Sequence, residues 1–195
     1  ELIAHALHNE NSLTALSLVT PMNGDLFKIF ATSFFKRLPL LQSKKDPQPK
    51  KEVNPLFKLE YLDVSNCKFG YNGLVSLCDG LKENATIKYL NIFHNLFGVN
   101  GTRRLSEVLQ ANKTIEEIDF GYNRVKSVGL SNILGGLKEN KESKLTFMGT
   151  QYNFINDKCF ANSMKILYEN IEFNVVDELD STKRGDGGFG STGAQ

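Results

Sequence analysis

Apolar residues recur in one frame, three times in succession, between Leu59 and Glu142. Leu59-Glu-Tyr-Leu62-Asp-Val64-Ser-Asn-Cys67 is answered by Ile87-Lys-Tyr-Leu90-Asn-Ile92-Phe-His-Asn95, and that by Ile115-Glu-Glu-Ile118-Asp-Phe120-Gly-Tyr-Asn123. The copies start 28 residues apart each time (87 − 59 and 115 − 87). The last two apolar positions of each copy alternate, as one face of a short strand does. Cys67, Asn95 and Asn123 hold the next fixed place, where asparagine can bond the backbone of a turn and cysteine is a small, buried, weak donor. Each copy then reads through an apolar residue (Phe69, Phe97, Val125), a glycine (Gly73, Gly101, Gly129) and aliphatic residues four apart. Those pairs, Leu77 and Leu81, Leu105 and Leu109, Ile133 and Leu137, have the spacing of one helix face. Every copy closes on an asparagine: Asn84, Asn112, Asn140. The predicted unit is strand, turn, helix, and it must stack on its neighbours to bury its apolar side.

The frame extends in both directions. Leu13, Leu16 and Leu18 predict an earlier strand, with Pro21 standing where asparagine belongs. Its helix runs from Leu26 to about Leu38, on Phe27, Phe30, Phe34 and Leu38, and Pro39 ends it. Residues 1–12 read as the tail of a preceding convex helix. From Leu13 to Leu59 is 46 residues, so this unit carries an insertion. Its charged, proline-rich part, residues 43–55, predicts an exposed loop; its four lysines are interleaved with Asp46 and Glu52, as in a solvated loop. After Glu142, Leu145, Met148, Thr150 and Asn153 resume the frame with a shift of two (145 − 115 is 30). Residues 171–175 predict a last half-unit strand that caps the stack, and all periodicity stops after Asp180.

The L-x-x-L-x-L run followed by asparagine or cysteine resembles the leucine-rich repeat family, in its 28-residue class typified by ribonuclease inhibitor. The resemblance implies an α/β fold: a short solenoid of four to five repeats over residues 1–175, with parallel β-strands on the concave side and α-helices on the convex side. It also implies a scaffold that binds another protein through the concave face. On that face the outward strand positions read Tyr61 and Asp63, then Tyr89, Asn91 and Phe93, then Glu117 and Asp119, with Glu60, His94, Glu116, Tyr122 and Tyr152 flanking them. Aromatic residues anchor interfaces and carboxylates favour basic partners, so the expected partner is a protein with a basic or amphipathic surface.

Composition sets limits. At 41% hydrophobic residues the chain can build a core, and a net charge of +1 gives no global field for nucleic acid. No apolar run approaches the roughly 18 residues of a spanning helix. Cys67, Cys78 and Cys159 are odd in number and scattered, which predicts reduced thiols in a cytoplasmic or nuclear protein. Of three Asn-x-Thr sequons, those at Asn84 and Asn112 coincide with the residues that end a helix and enter the next strand. His5 and His8 have helical spacing but no Cys or carboxylate partners near them, and nothing supplies a nucleophile beside His94. Residues 1–175 hold no catalytic constellation, no metal set and no cofactor motif.

The tail is different. Val176-Asp-Glu-Leu179-Asp-Ser-Thr-Lys-Arg184-Gly-Asp-Gly-Gly-Phe189-Gly-Ser191-Thr192-Gly193 resembles the last sequence motif of trimeric dUTPases. Residues 176–195 are thus expected to be a flexible, glycine-rich arm. The resemblance implies that Phe189 stacks on uracil, Arg184 pairs with phosphate, and Gly188, Gly190, Ser191 and Thr192 cradle the phosphates of dUTP with its Mg2+. This is the alternative function: an arm contributed to a dUTPase barrel. The family's other four motifs, which supply that barrel and its water-activating aspartate, are missing, so the chain alone is not expected to be an enzyme.

Overall fold

The computed structural model describes residues 13–35, 58–82, 84–156, 158, 160 and 161. Five short strands alternate with four helices: β1 (Ala15–Ser17), α1 (Gly24–Phe35), β2 (Tyr61–Asp63), α2 (Gly70–Leu81), β3 (Tyr89–Asn91), α3 (Gly98–Ala111), β4 (Glu117–Asp119), α4 (Lys126–Glu139) and β5 (Phe147–Gly149). The strands form one parallel sheet in the order β1-β2-β3-β4-β5. Its register pairs Leu16, Leu62, Leu90, Ile118 and Met148 in one row, as the repeat frame predicts. Leu62, Leu90 and Ile118 are fully buried between the sheet and the helix layer.

The strands are short because each is followed at once by a turn that the asparagine column organises. Asn95, Asn123 and Asn153 are buried. Asn95 N–H donates to Asn123 Oδ1 and Asn123 N–H donates to Asn153 Oδ1, both at 2.7 Å. Each side-chain amide also donates into the carbonyls of its own turn and of the preceding repeat, as Asn123 Nδ2 does to Ile92 O at 2.9 Å. Cys67 opens the column, its Sγ donating to Leu18 O at 2.8 Å and also bonded to the Thr20 backbone. Buried turns therefore keep their polar backbone paired, which a solenoid interior requires.

A second asparagine column closes the helices. Asn84 Oδ1 and Asn112 Oδ1 accept the Ile87 and Ile115 N–H groups, each at 2.8 Å. Asn140 Nδ2 donates to Asn112 O at 2.7 Å, and Asn112 Nδ2 to Asn84 O at 3.3 Å. The amide nitrogens of both sequon asparagines are engaged, Asn84 Nδ2 with its own Thr86 Oγ1 and Asn112 Nδ2 with Asn84 O of the preceding repeat. On the convex side, Arg104 of α3 bridges Asp79 and Glu107, and Lys82 shares Glu107 at 2.9 Å.

Several expectations fall outside the described residues: the helix at 1–12, the loop at 43–55, Cys159, the strand at 171–175 and the arm at 176–195. Within the described part, the degenerate first unit pairs β1 normally with β2, and Pro21 is exposed. Among the described residues, no helix is long and apolar enough to cross a membrane.

Candidate functional site

Parallel register places the outward strand residues in rows. Tyr61, Tyr89, Glu117 and Phe147 form one row, and Asp63, Asn91, Asp119 and Gly149 the next. Tyr61, Tyr89, Phe93 and Glu117 are half-buried. Burial, with the Asp63 carboxylate adding to it, pushes the Tyr61 phenol up, so these two side chains share one local field.

The second row does less as a surface than strand alternation implies. Asp63 Oδ1 accepts Ser65 N–H at 2.8 Å, Asn91 Oδ1 accepts Phe93 N–H at 3.0 Å, and Asp119 Oδ1 accepts Gly121 N–H at 2.8 Å. All three side chains fold back to close the turn after their strand, the local bonding that short polar side chains favour. Asn91 and Asp119 retain only 8% and 6% exposure. Gln151 Nε2 covers the second oxygen of Asp119 at 3.2 Å. Glu60, at the edge, is paired with Lys88 at 3.0 Å. Asp63, Asn91 and Asp119 therefore each spend one acceptor on their own turn.

The exposed chemistry sits at the rim, where strands run into turns. His94 Nδ1 lies 2.7 Å from Asn66 Oδ1, an acceptor, so Nδ1 carries the proton in this arrangement. The His94 and Tyr122 rings meet edge-on with centroids 4.5 Å apart, and Tyr122 meets Tyr152 at 6.0 Å. Phe93 lies 6.1 Å from Tyr122, behind the same ladder. Tyr122 is 47% and Tyr152 71% exposed.

The backbone beneath these rings is unusual. Asn66, His94, Tyr122 and Tyr152 all have φ between 53° and 57°, and Lys68, Leu96, Arg124 and Phe154 between 55° and 61°. This left-handed region suits glycine and asparagine and costs large side chains on the order of 1–3 kcal/mol. The conformation lets each turn reach the next repeat: Asn66 N–H donates to Phe93 O, His94 N–H to Gly121 O, and Tyr122 N–H to Gln151 O, at 2.8–2.9 Å. Of the eight residues, only Asn66 and His94 are of types enriched in this conformation. The rings and long chains elsewhere in the two columns bring no local advantage to the backbone that carries them.

Sequence alternation finds Tyr61, Tyr89 and Phe93, and His94, Tyr122 and Tyr152 as flanking residues. It does not find their left-handed backbone, nor the exposed cations Lys68, Arg124 and Lys126 beside them. Among the described residues, no three His, Cys, Asp or Glu side chains gather in a way that could hold a metal. Arg184, Gly188, Phe189, Gly190, Ser191 and Thr192 lie outside the described residues. Cys67 and Cys78 are free and buried. Burial pushes the Cys78 thiol up to about 12, against a smaller opposing pull from Arg104. Iodoacetamide at pH 8 is therefore expected to label neither Cys67 nor Cys78 in the folded protein and both in urea, read by peptide mass mapping. Labelling of Cys78 in native buffer would mean that α2 opens.

Comparisons with known proteins agree with this architecture. A leucine-rich repeat profile matches residues 56–78 and 111–134. Among solved structures, the chain is similar to leiomodin-1 actin-binding site 2, with a TM-score of 0.64 at 16% identity, covering 86% of each chain. It is also similar to the tropomodulin C-terminal domain of Caenorhabditis elegans, with a TM-score of 0.58 at 12% identity, covering 86% of this chain and 90% of that one. No curated protein matches by sequence. Nothing in these comparisons supports a dUTPase reading. The repeat frame, the parallel inner sheet and these structural likenesses give the chain a leucine-rich-repeat-like solenoid fold.

Proposed function

We propose that the chain is a non-catalytic protein-binding module whose contact surface is the concave sheet together with its aromatic rim. The observation that carries this reading is the ring ladder from His94 to Tyr152, whose two tyrosines are exposed and mounted on an unfavourable backbone. Aromatic side chains held rigidly at low entropic cost are what interface hot spots use. The tyrosines Tyr61 and Tyr89 and the row through Glu117 continue the surface onto the sheet. The 28-residue period and helical convex side favour the ribonuclease-inhibitor-like class of repeat. One structural neighbour is an actin-binding site, which makes actin the first protein to test.

The reading is tested by placing a photo-crosslinking benzoylphenylalanine at Tyr122 on the rim or at the exposed Gln110 on α3. Each variant is irradiated with purified actin and, separately, with cell lysate. Protein adducts are expected at position 122 and not at 110. Adducts at 110 alone, or equal adducts at both, would move the site to the helical side. Replacing both Tyr61 and Tyr89 by alanine is expected to weaken capture about tenfold or more, within the range of two moderate interface residues.

A further inference from the structure

The two edges of the sheet differ in charge. At the edge where strands begin, cations are neutralised across repeats: Lys88 pairs with Glu60 at 3.0 Å and Lys113 with Glu142 at 2.7 Å. At the rim, residues 64–72, 92–100 and 120–128 contain Lys68, Arg124, Lys126 and His94, and the carboxylates that border them, Asp63 and Asp119, each have one oxygen bonded to the turn. Lys68, Arg124 and Lys126 are exposed, and none makes an ion pair among the described residues. Of the helices that start here, α2, α3 and α4 have no acidic residue in their first turns and no side-chain cap, so their positive ends add to the same field. By contrast, α1 carries Asp25 in its first turn, and Asn23 Oδ1 accepts its Leu26 N–H.

These cations stand beside the aromatic ladder. Lys68 and Arg124 each follow a ladder position, Asn66 and Tyr122, by two residues in the same left-handed turn. They lie two repeats apart, roughly 10 Å at sheet spacing. Lys126 has φ 58° at a place where the two preceding repeats have Gly70 and Gly98, at 61° and 65°. A lysine there carries a conformational cost that glycine avoids. Meanwhile three of the concave carboxylates are engaged locally: Asp63 and Asp119 in their turns and Glu60 with Lys88.

We infer that the rim takes an extended acidic segment of a partner protein, with aromatic or other apolar residues between its carboxylates. The carboxylates meet Lys68, Arg124 and Lys126 while the apolar residues lie on His94, Tyr122 and Tyr152. This reverses the partner charge that the concave acids imply. It rests on the protein-binding reading, and charge complementarity selects the occupant.

The probe is a fluorescein-labelled 16-residue peptide alternating Glu with Phe or Pro, compared with the same peptide bearing Lys for Glu and with a single-stranded 16-mer oligonucleotide. Fluorescence anisotropy at 50 mM salt is expected to show the acidic peptide binding at least about tenfold more tightly than either, with the preference shrinking at 300 mM. The triple variant Lys68→Asn, Arg124→Asn, Lys126→Asn keeps a residue type that suits left-handed backbone, and is expected to abolish the preference. Equal binding of the acidic and basic peptides, or a preference for the basic one, overturns the proposal. A preference for the oligonucleotide also overturns it and reassigns the rim to nucleic acid. The crosslinking outcome at position 122 stands independently: adducts there without a charge preference would retain a protein-binding rim and reject only its acidic partner.

Discussion

Asn123→Ala is expected to destabilise the fold by about 3–5 kcal/mol, near the upper end for a single substitution. The residue is fully buried. Its Nδ2 donates to Ile92 O at 2.9 Å, Phe120 O at 3.0 Å and Gly121 O at 2.9 Å, and its Oδ1 accepts Asn95 N–H at 2.7 Å. The four losses are unequal. Ile92 O keeps a bond from Asn95 Nδ2, Phe120 O one from Asn153 Nδ2, and Gly121 O one from His94 N–H. Each carbonyl thus loses a bond but not its last partner, at about 0.5–1.5 kcal/mol apiece. The Asn95 N–H is left bare in the interior, at about 1–3 kcal/mol.

Urea denaturation checks this expectation, and Cys67→Ala supplies the comparison. Cys67 occupies the same column but its sulfur makes only weak bonds, to Leu18 O and the Thr20 backbone. Its truncation removes one sulfur atom and its weak hydrogen bonds, so it is expected to cost about 1 kcal/mol. For a domain of this size, each kcal/mol moves the melting temperature by about 2–4 °C, so the two variants separate clearly. A loss under about 1 kcal/mol for Asn123→Ala would mean that water replaces the side chain and that the column is not the turn's main support.

How much of this was legible in advance depended on which property a residue type reports. Hydrophobic spacing reports burial, and it alone places Leu62, Leu90 and Ile118 in one row. The asparagines were legible because few side chains can both donate and accept within a turn. Asp63, Asn91 and Asp119 looked outward because alternation continues on paper past the point where the strand ends. In space the turn begins there, and their oxygens are nearer to the backbone ahead than to solvent. The left-handed turns were illegible because Tyr122 and Arg124 are not residue types that announce positive φ. Lys68 and Arg124 are 56 positions apart in sequence (124 − 68), and only stacking makes them one surface.

The second large effect is a pair of opposite sign on one helix. Gly135 and Gly136 are adjacent in α4, and composition alone would treat them alike. A Cβ at Gly135 meets nothing within 4 Å. Gly135→Ala should therefore stabilise the protein by about 0.5–1 kcal/mol, the usual gain from removing glycine's backbone freedom in a helix. A Cβ at Gly136 falls inside contact distance of the Ser106 carbonyl oxygen and hydroxyl on α3. The hydroxyl cannot swing away without loss, because it donates to Asn132 O at 2.7 Å. The carbonyl belongs to the helix backbone, so relief requires α3 and α4 to part. That would also stretch the 3.1 Å bond from Asn132 Nδ2 to Thr102 Oγ1. Overpacking of this kind costs about 1–3 kcal/mol, enough to outweigh the propensity gain. Gly136→Ala is accordingly expected to lower the urea midpoint while Gly135→Ala raises it, with similar slopes for both. If both alanines raised the midpoint, α3 and α4 would have to sit farther apart than the Ser106–Asn132 contact allows, and the close packing of successive helices on the convex side would be wrong.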